Sequence, residues 1–107
     1  MGDARDPGVT TRDNPELSRY EVYSGGSLGG FVAYRLNGDR MTLTHTETSP
    51  AQQGKGLATA LIHDTLEAAR DSGLSVLPAC SFTSAYIRRH PEYLDLVPEA
   101  DRARYGL

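Results

Sequence analysis

The chain has 107 residues, of which 38% are hydrophobic and 23% charged, with a formal net charge of −3 and a pI near 5.5. That length suits one domain with one modest core. The acidic balance lacks the basic excess of a nucleic-acid binder, and no apolar run approaches the roughly 20 residues that a membrane helix needs.

The elements read as follows in chain order. Residues 1 to 10 are polar, carry Gly2, Pro7 and Gly8, and have no periodicity, so a disordered tail is expected. Asn14-Pro15 signals a turn. Arg19 to Ser24 alternates and is rich in strand formers, and Gly25-Gly26 breaks it. Leu28 to Leu36 is predicted as a second strand, and Asn37-Gly38 is a strong hairpin signal. Met41 to Ser49 is predicted as a third strand, with Met41, Leu43, His45 and Glu47 on one face and four threonines on the other. Pro50 ends it, and the loop Ala51-Gln52-Gln53-Gly54-Lys55-Gly56 follows.

A helix is predicted from about Gly56 to Ser72, because Leu57, Ala58, Leu61, Ile62, Thr65, Leu66 and Ala69 recur at helical spacing. Gly73 supplies its stop. Leu74 to Leu77 is a short strand closed by Pro78, and Phe82 to His90 is a second helix stopped by Pro91. Tyr93, Leu94, Leu96 and Val97 are expected to pack back on the core. The fold class predicted is α+β, two-layered: an antiparallel meander, then helix-strand-helix, with a mixed sheet.

The loop Gly54-Lys55-Gly56-Leu57-Ala58 joins a strand to a helix. Glycines let backbone N–H groups approach an anion closely, and the helix start adds unpaired amides and the positive end of its dipole. A P-loop needs Ser or Thr after its Gly-Lys, where Gly56 stands, and a dinucleotide fingerprint needs glycine at 59, where Thr59 stands. By spacing alone the segment is either a pyrophosphate cradle of another kind or a plain loop with a lysine.

Several spaced motifs carry a resemblance. They are His45-Thr46-Glu47, Gln53-Gly54-Lys55-Gly56-Leu57-Ala58, Leu66-Glu67-Ala68-Ala69-Arg70, Pro78-Ala79-Cys80-Ser81-Phe82, Tyr86-Ile87 and His90-Pro91-Glu92-Tyr93. Over about Tyr20 to Val97 the chain resembles the GNAT superfamily of acetyl-CoA-dependent N-acetyltransferases, in its minimal single-domain YjdJ-type branch. The resemblance implies a short GNAT fold over residues 11–107, acetyl-CoA as acyl donor, and acetyl transfer to an amine-type acceptor, directly or by way of a cysteine. The alternative is a non-catalytic module that binds coenzyme A or acyl-CoA. Implied coenzyme contacts are Thr46, Glu47 and Thr48, the loop residues Gln53, Gly54, Lys55, Gly56, Leu57 and Ala58, and Cys80. Against the superfamily's loop pattern [QR]-x-x-G-x-[GA], the leading position here is Ala51, and Gln53 stands where Arg often precedes the first glycine. The early helices of most members are missing.

Three side chains are candidates for chemistry. Cys80 sits at a strand-to-helix junction, where a helix start favours thiolate; the alternative is a small buried hydrophobe. Tyr86 could protonate the leaving coenzyme thiolate, or be an ordinary core aromatic. Glu47 could take the proton of an amine, directly or through water, or be a solvated strand-end charge. His45 and His90 read as structural, and His63 as a solvated helix residue. One cysteine makes neither an internal disulfide nor a zinc site by itself, and no metal is expected. With no apolar stretch in the first eight residues to serve as a signal, a reducing cytoplasm is the expected compartment. Expected partners are a small-molecule or protein amine acceptor, with no nucleic acid and no membrane, and a monomer or weak homodimer.

Overall fold

The computed structural model describes residues 8–54 and 56–107. Four strands run in sequence and pair antiparallel: β1 (Val9–Asn14), β2 (Arg19–Ser24), β3 (Ser27–Asn37) and β4 (Arg40–Thr48). A 3-10 turn over Pro50–Gln52 leads to helix α1 (Leu57–Asp71). β5 (Ser75–Pro78) then adds parallel to β4, giving one mixed sheet in the order β1-β2-β3-β4-β5. Helix α2 (Ser81–Arg89) and three 3-10 turns, over Pro91–Leu96, Glu99–Asp101 and Ala103–Tyr105, finish the chain.

The tight turns follow their glycines. Gly25 and Gly26, both at positive φ, make the two-residue β2–β3 turn, and Gly38 at φ 62° opens the β3–β4 turn. Gly73, at φ 70°, ends α1: its N–H reaches the Arg70 carbonyl while Leu74 N–H reaches Ala69, the paired bonds of a left-handed helix stop. The apolar stripe of α1 lies across the sheet, burying Leu57, Ala60, Leu61, Ile62, Leu66 and Ala69 against Val22, Val32, Leu43 and Val76. Tyr93, Leu96 and Val97 return to this core as expected.

Two expectations change. The predicted tail ends earlier than residue 10, because Val9 and Thr10 belong to β1; its first seven residues lie outside those described. β1 escaped prediction because VTTRDN buries only Val9 and, as an edge strand, shows no apolar alternation.

The second change is the face assignment in β4. Its register on β3 pairs Tyr34 with Leu43 but Ala33 with His45, so Thr44 is an extra residue, a β-bulge. The bulge reverses the alternation. Met41 and Leu43 still point to the core, but beyond Thr44 that side is taken by Thr46 and Thr48, while His45 and Glu47 turn to the opposite, exposed face. A matching bulge in β3 sets Gly29 outside the pairing, since Val22 faces Gly30 and Tyr23 faces Leu28.

Candidate functional site

The site forms where β4 and β5 part. Parallel pairing ends at Leu43 and Pro78. Pro78 has no N–H to continue a ladder, Ala79 N–H folds back to Leu77 O at 3.0 Å, and Cys80 N–H donates to Leu43 O at 2.9 Å. β4 nevertheless runs on to Thr48. Ser49 N–H donates to Gly29 O at 2.8 Å, and antiparallel alternation then turns the backbone of Thr46 and Thr48 away from β3. Those two residues therefore present their backbone groups along an edge that β5 has left.

At one end of that edge lies the glycine loop. Gly54 (φ 85°) and Gly56 (φ 71°) are left-handed, and a Cβ on either would project into open space. Gly56 caps α1 without a side chain, and the first turn holds no acidic residue to accept from its leading amides. A cleft of about 210 Å³ opens beside them, lined by Thr48, Gln52, Gln53, Gly54, Gly56, Leu57, Ala58, Thr59 and Phe82. A glycine cradle with bare helix amides fits the pyrophosphate of a coenzyme. Lys55 lies outside the described residues. Gly29 lies under the first turn of α1: a Cβ there would come within 2.5 Å of Leu57 Cδ1, so the bare backbone leaves room for the Leu57 side chain in its present position.

At the other end is Cys80, half-buried, the residue that caps α2. Its Sγ lies 3.2 Å from Thr46 Oγ1, across the gap between the parted strands. Partial burial pushes the thiol up, but the Thr46 hydroxyl, the amides of Thr83 and Phe82 and the Thr83 hydroxyl act against it, and the net direction is down. The sulfur lies among these amides without closing a capping bond. This is the environment in which thiolate is favoured.

The structure thus brings together Thr46, Thr48, Gln53, Gly54, Gly56, Leu57, Ala58 and Cys80. The other two catalytic candidates, Glu47 and Tyr86, have different neighbours. Glu47, with its side chain 63% exposed, stands on the far face of the sheet and pairs with His45 at 3.0 Å. It borders a separate pocket of about 240 Å³ with Leu28, Gly30, Phe31, Ser49 and Pro50; Thr48 lines both this pocket and the glycine-loop cleft. Tyr86 is 3% exposed and stacks on the His90 ring at 4.0 Å between centroids, with Tyr93 beside it. Sequence reasoning missed Gly29 and Thr83. Thr83 was findable, because it follows the cap residue Cys80 by three, the spacing at which a side chain reaches back to a cap. Among the described residues no group of three His, Cys, Asp or Glu could hold a metal, and no helix is long and apolar enough to cross a membrane.

A family model described as GCN5-related N-acetyl-transferase matches residues 19–96. A GCN5-like candidate N-acetyltransferase from Staphylococcus aureus, determined in solution by NMR, shares the fold. Its TM-score is 0.65 at 18% identity, over 87% of this chain and 91% of that one. Nourseothricin acetyltransferase matches at 28% identity with a TM-score of 0.45, over 71% of this chain and 42% of that longer one.

Proposed function

The chain belongs to the GCN5-related N-acetyltransferase family, and from that premise we propose that it moves an acetyl group from acetyl-CoA to an amine-type acceptor, with Cys80 as the intermediate carrier. In this reading the amides of residues 54 and 56 to 58 hold the coenzyme pyrophosphate. The bare N–H groups of Thr46 and Thr48 polarise the acetyl carbonyl, a contribution of roughly 3 kcal/mol per donor in comparable oxyanion sites. The Cys80 thiolate attacks the carbonyl carbon. A Cys80 S–C bond forms, the coenzyme S–C bond breaks, and the departing coenzyme thiolate takes a proton from solvent. The amine then attacks the thioester, an N–C bond forms, the Cys80 S–C bond breaks, and the nitrogen gives up its proton.

The acceptor enters from the far face of the sheet, where Glu47 borders the pocket that meets the coenzyme cleft at Thr48. There Glu47 receives the amine proton, directly or through water. A single carboxylate beside Leu28, Phe31 and Pro50 suits a cationic amine on an apolar stem, as does the chain's net charge of −3. Tyr86, stacked within the core, takes no part in proton transfer in this scheme.

The observation that supports the reading is the position of Cys80, joined through Thr46 to the bare edge of β4 that leads to the glycine loop. The test is turnover. Amine-bearing acceptors should release free thiol from acetyl-CoA, and acetyl-CoA alone should add one acetyl mass that hydroxylamine removes. Cys80→Ala should abolish both while coenzyme A still binds. Activity that persists within a few-fold in Cys80→Ala would leave direct attack with Glu47 as base. A module that only binds the coenzyme would release no thiol with any acceptor.

A further inference from the structure

This inference rests on the reading of Cys80 as carrier and concerns what holds its sulfur. Thr83 lies in the first turn of α2 and is 0% exposed, yet its Oγ1 closes no hydrogen bond among the described residues. Buried hydroxyls are nearly always paired, because burial has cost them their water. A threonine inside a helix usually donates to the carbonyl four residues back, as Thr65 does to Leu61 O at 2.8 Å. For Thr83 that residue is Ala79, which precedes the cap and lies outside the helix. The Cys80 carbonyl already accepts from Ser84 N–H. The polar side chain at the cap is Cys80, three residues back, the spacing at which a side chain in the first turn faces the cap residue.

The two ionisation states of the sulfur differ in what they accept. A neutral thiol sulfur is a weak acceptor, so a second hydroxyl gains little from it. A thiolate accepts several bonds at once. We propose that Thr83 is a positioning residue for Cys80: its hydroxyl donates to the sulfur once the thiol proton has left to solvent, and with Thr46 it forms a two-hydroxyl cage that fixes the thiolate toward the bare edge of β4. Among the described residues, the strongest influences on the thiol include no charged side chain. The groups acting on the thiol are burial, the two threonines and the α2 amides. His45 and Glu47 of β4 point to the other face, the first turns of α1 and α2 hold no acidic residue, and the α2 arginines stand in its last turn.

The test is the pH profile of Cys80 alkylation by iodoacetamide in the full chain. Thr83→Val should move the midpoint upward by about one pH unit and slow alkylation at neutral pH about tenfold, the effect of one lost bond to a charged acceptor. Thr83→Ser should restore the wild-type profile, and the melting shift induced by coenzyme A should stay unchanged in both. Should Thr83→Val fail to fold, Thr83→Ala against Thr83→Ser gives the same comparison. Superimposable profiles for the wild type and the variants lacking the hydroxyl would overturn the assignment. Acetyl labelling of wild-type Cys80, followed by mass in parallel, keeps the two readings apart. A moved profile without labelling supports Thr83 and removes the covalent route; labelling with an unmoved profile overturns Thr83 alone.

Discussion

Glu21 faces away from α1, on the side of the sheet that carries His45, yet it is only 2% exposed. Burial by itself would raise its carboxyl, but hydrogen bonds from Tyr23, Asn14 and Arg19, and the charge of Arg19, hold it at about 2. Arg19 in turn lies over the Phe31 ring, 4.4 Å from its centroid. The folded carboxyl lies below its unfolded value of 4.5, so its contribution is complete above that pH and is lost as pH falls toward 2. That contribution amounts to up to about 3 kcal/mol. Urea midpoints should fall across this window in the wild type, and the fall should be smaller in Glu21→Gln; identical slopes would remove the network from the account of acid stability. Gly54 and Gly56 are the second case at this scale. A valine at φ 85° or 71° strains the backbone by about 1–2 kcal/mol and fills the space left for the phosphates. Either substitution should weaken coenzyme A binding by about tenfold or more, equivalent to at least 1.4 kcal/mol, with circular dichroism unchanged. Full affinity in both, read by calorimetry, would sink the amide cradle.

Among the elements, the junction of β3, β4 and α1 places the site. Two adjacent glycines allow it for different reasons. A Cβ on Gly29 would meet the end of the Leu57 side chain, whereas one on Gly30 would meet the backbone carbonyl of Glu47, each at 2.5 Å. A leucine tip can rotate aside and a paired strand cannot. Gly30→Ala should therefore lower the urea midpoint more than Gly29→Ala, whose cost should be about 1–3 kcal/mol as for other overpacked cores. Gly29→Ala should also loosen coenzyme A binding, because turning the Leu57 tip aside disturbs a wall of the cleft beside the glycine loop. The reverse order of stabilities would mean that the helix seat, not the strand register, is the stiffer of the two. At its other end α1 is pinned to the Pro91–Leu96 turn by Arg70 on Asp95 and by Tyr93 Oη donating to Glu67 at 2.6 Å.

For the molecule as a whole, a single mixed sheet with α1 across one face leaves a cleft open beside the parted strands, the proposed place of the coenzyme. Binding should tie β4, α1 and α2 together and stabilise the folded chain. At a coenzyme A concentration 100 times the dissociation constant the gain is about 2.7 kcal/mol, which for a domain of this size raises Tm by roughly ten degrees or more. A thermal scan showing no shift at millimolar coenzyme A would contradict the proposed donor.

Features that depend on near neighbours are readable from the residues alone. The glycine turns, the apolar stripe and Gly73 stop of α1, the short strand closed by Pro78, and the glycine loop at a helix start were all legible, because turn sterics and helical periodicity act within a few residues. Placing Cys80 at the head of α2 was legible for the same reason. Only the tertiary structure decided which side chains share the site. The Thr44 bulge arises from pairing with β3, and by adding one residue to the ladder it sends Glu47 and His45 to the far face and brings Thr46 to the sulfur. β1 forms because β2 offers its edge, not because VTTRDN carries a strand signal of its own. Alternation within a strand is a local property, but its phase is set by a partner distant in sequence, and one extra residue in the pairing reverses every side chain beyond it.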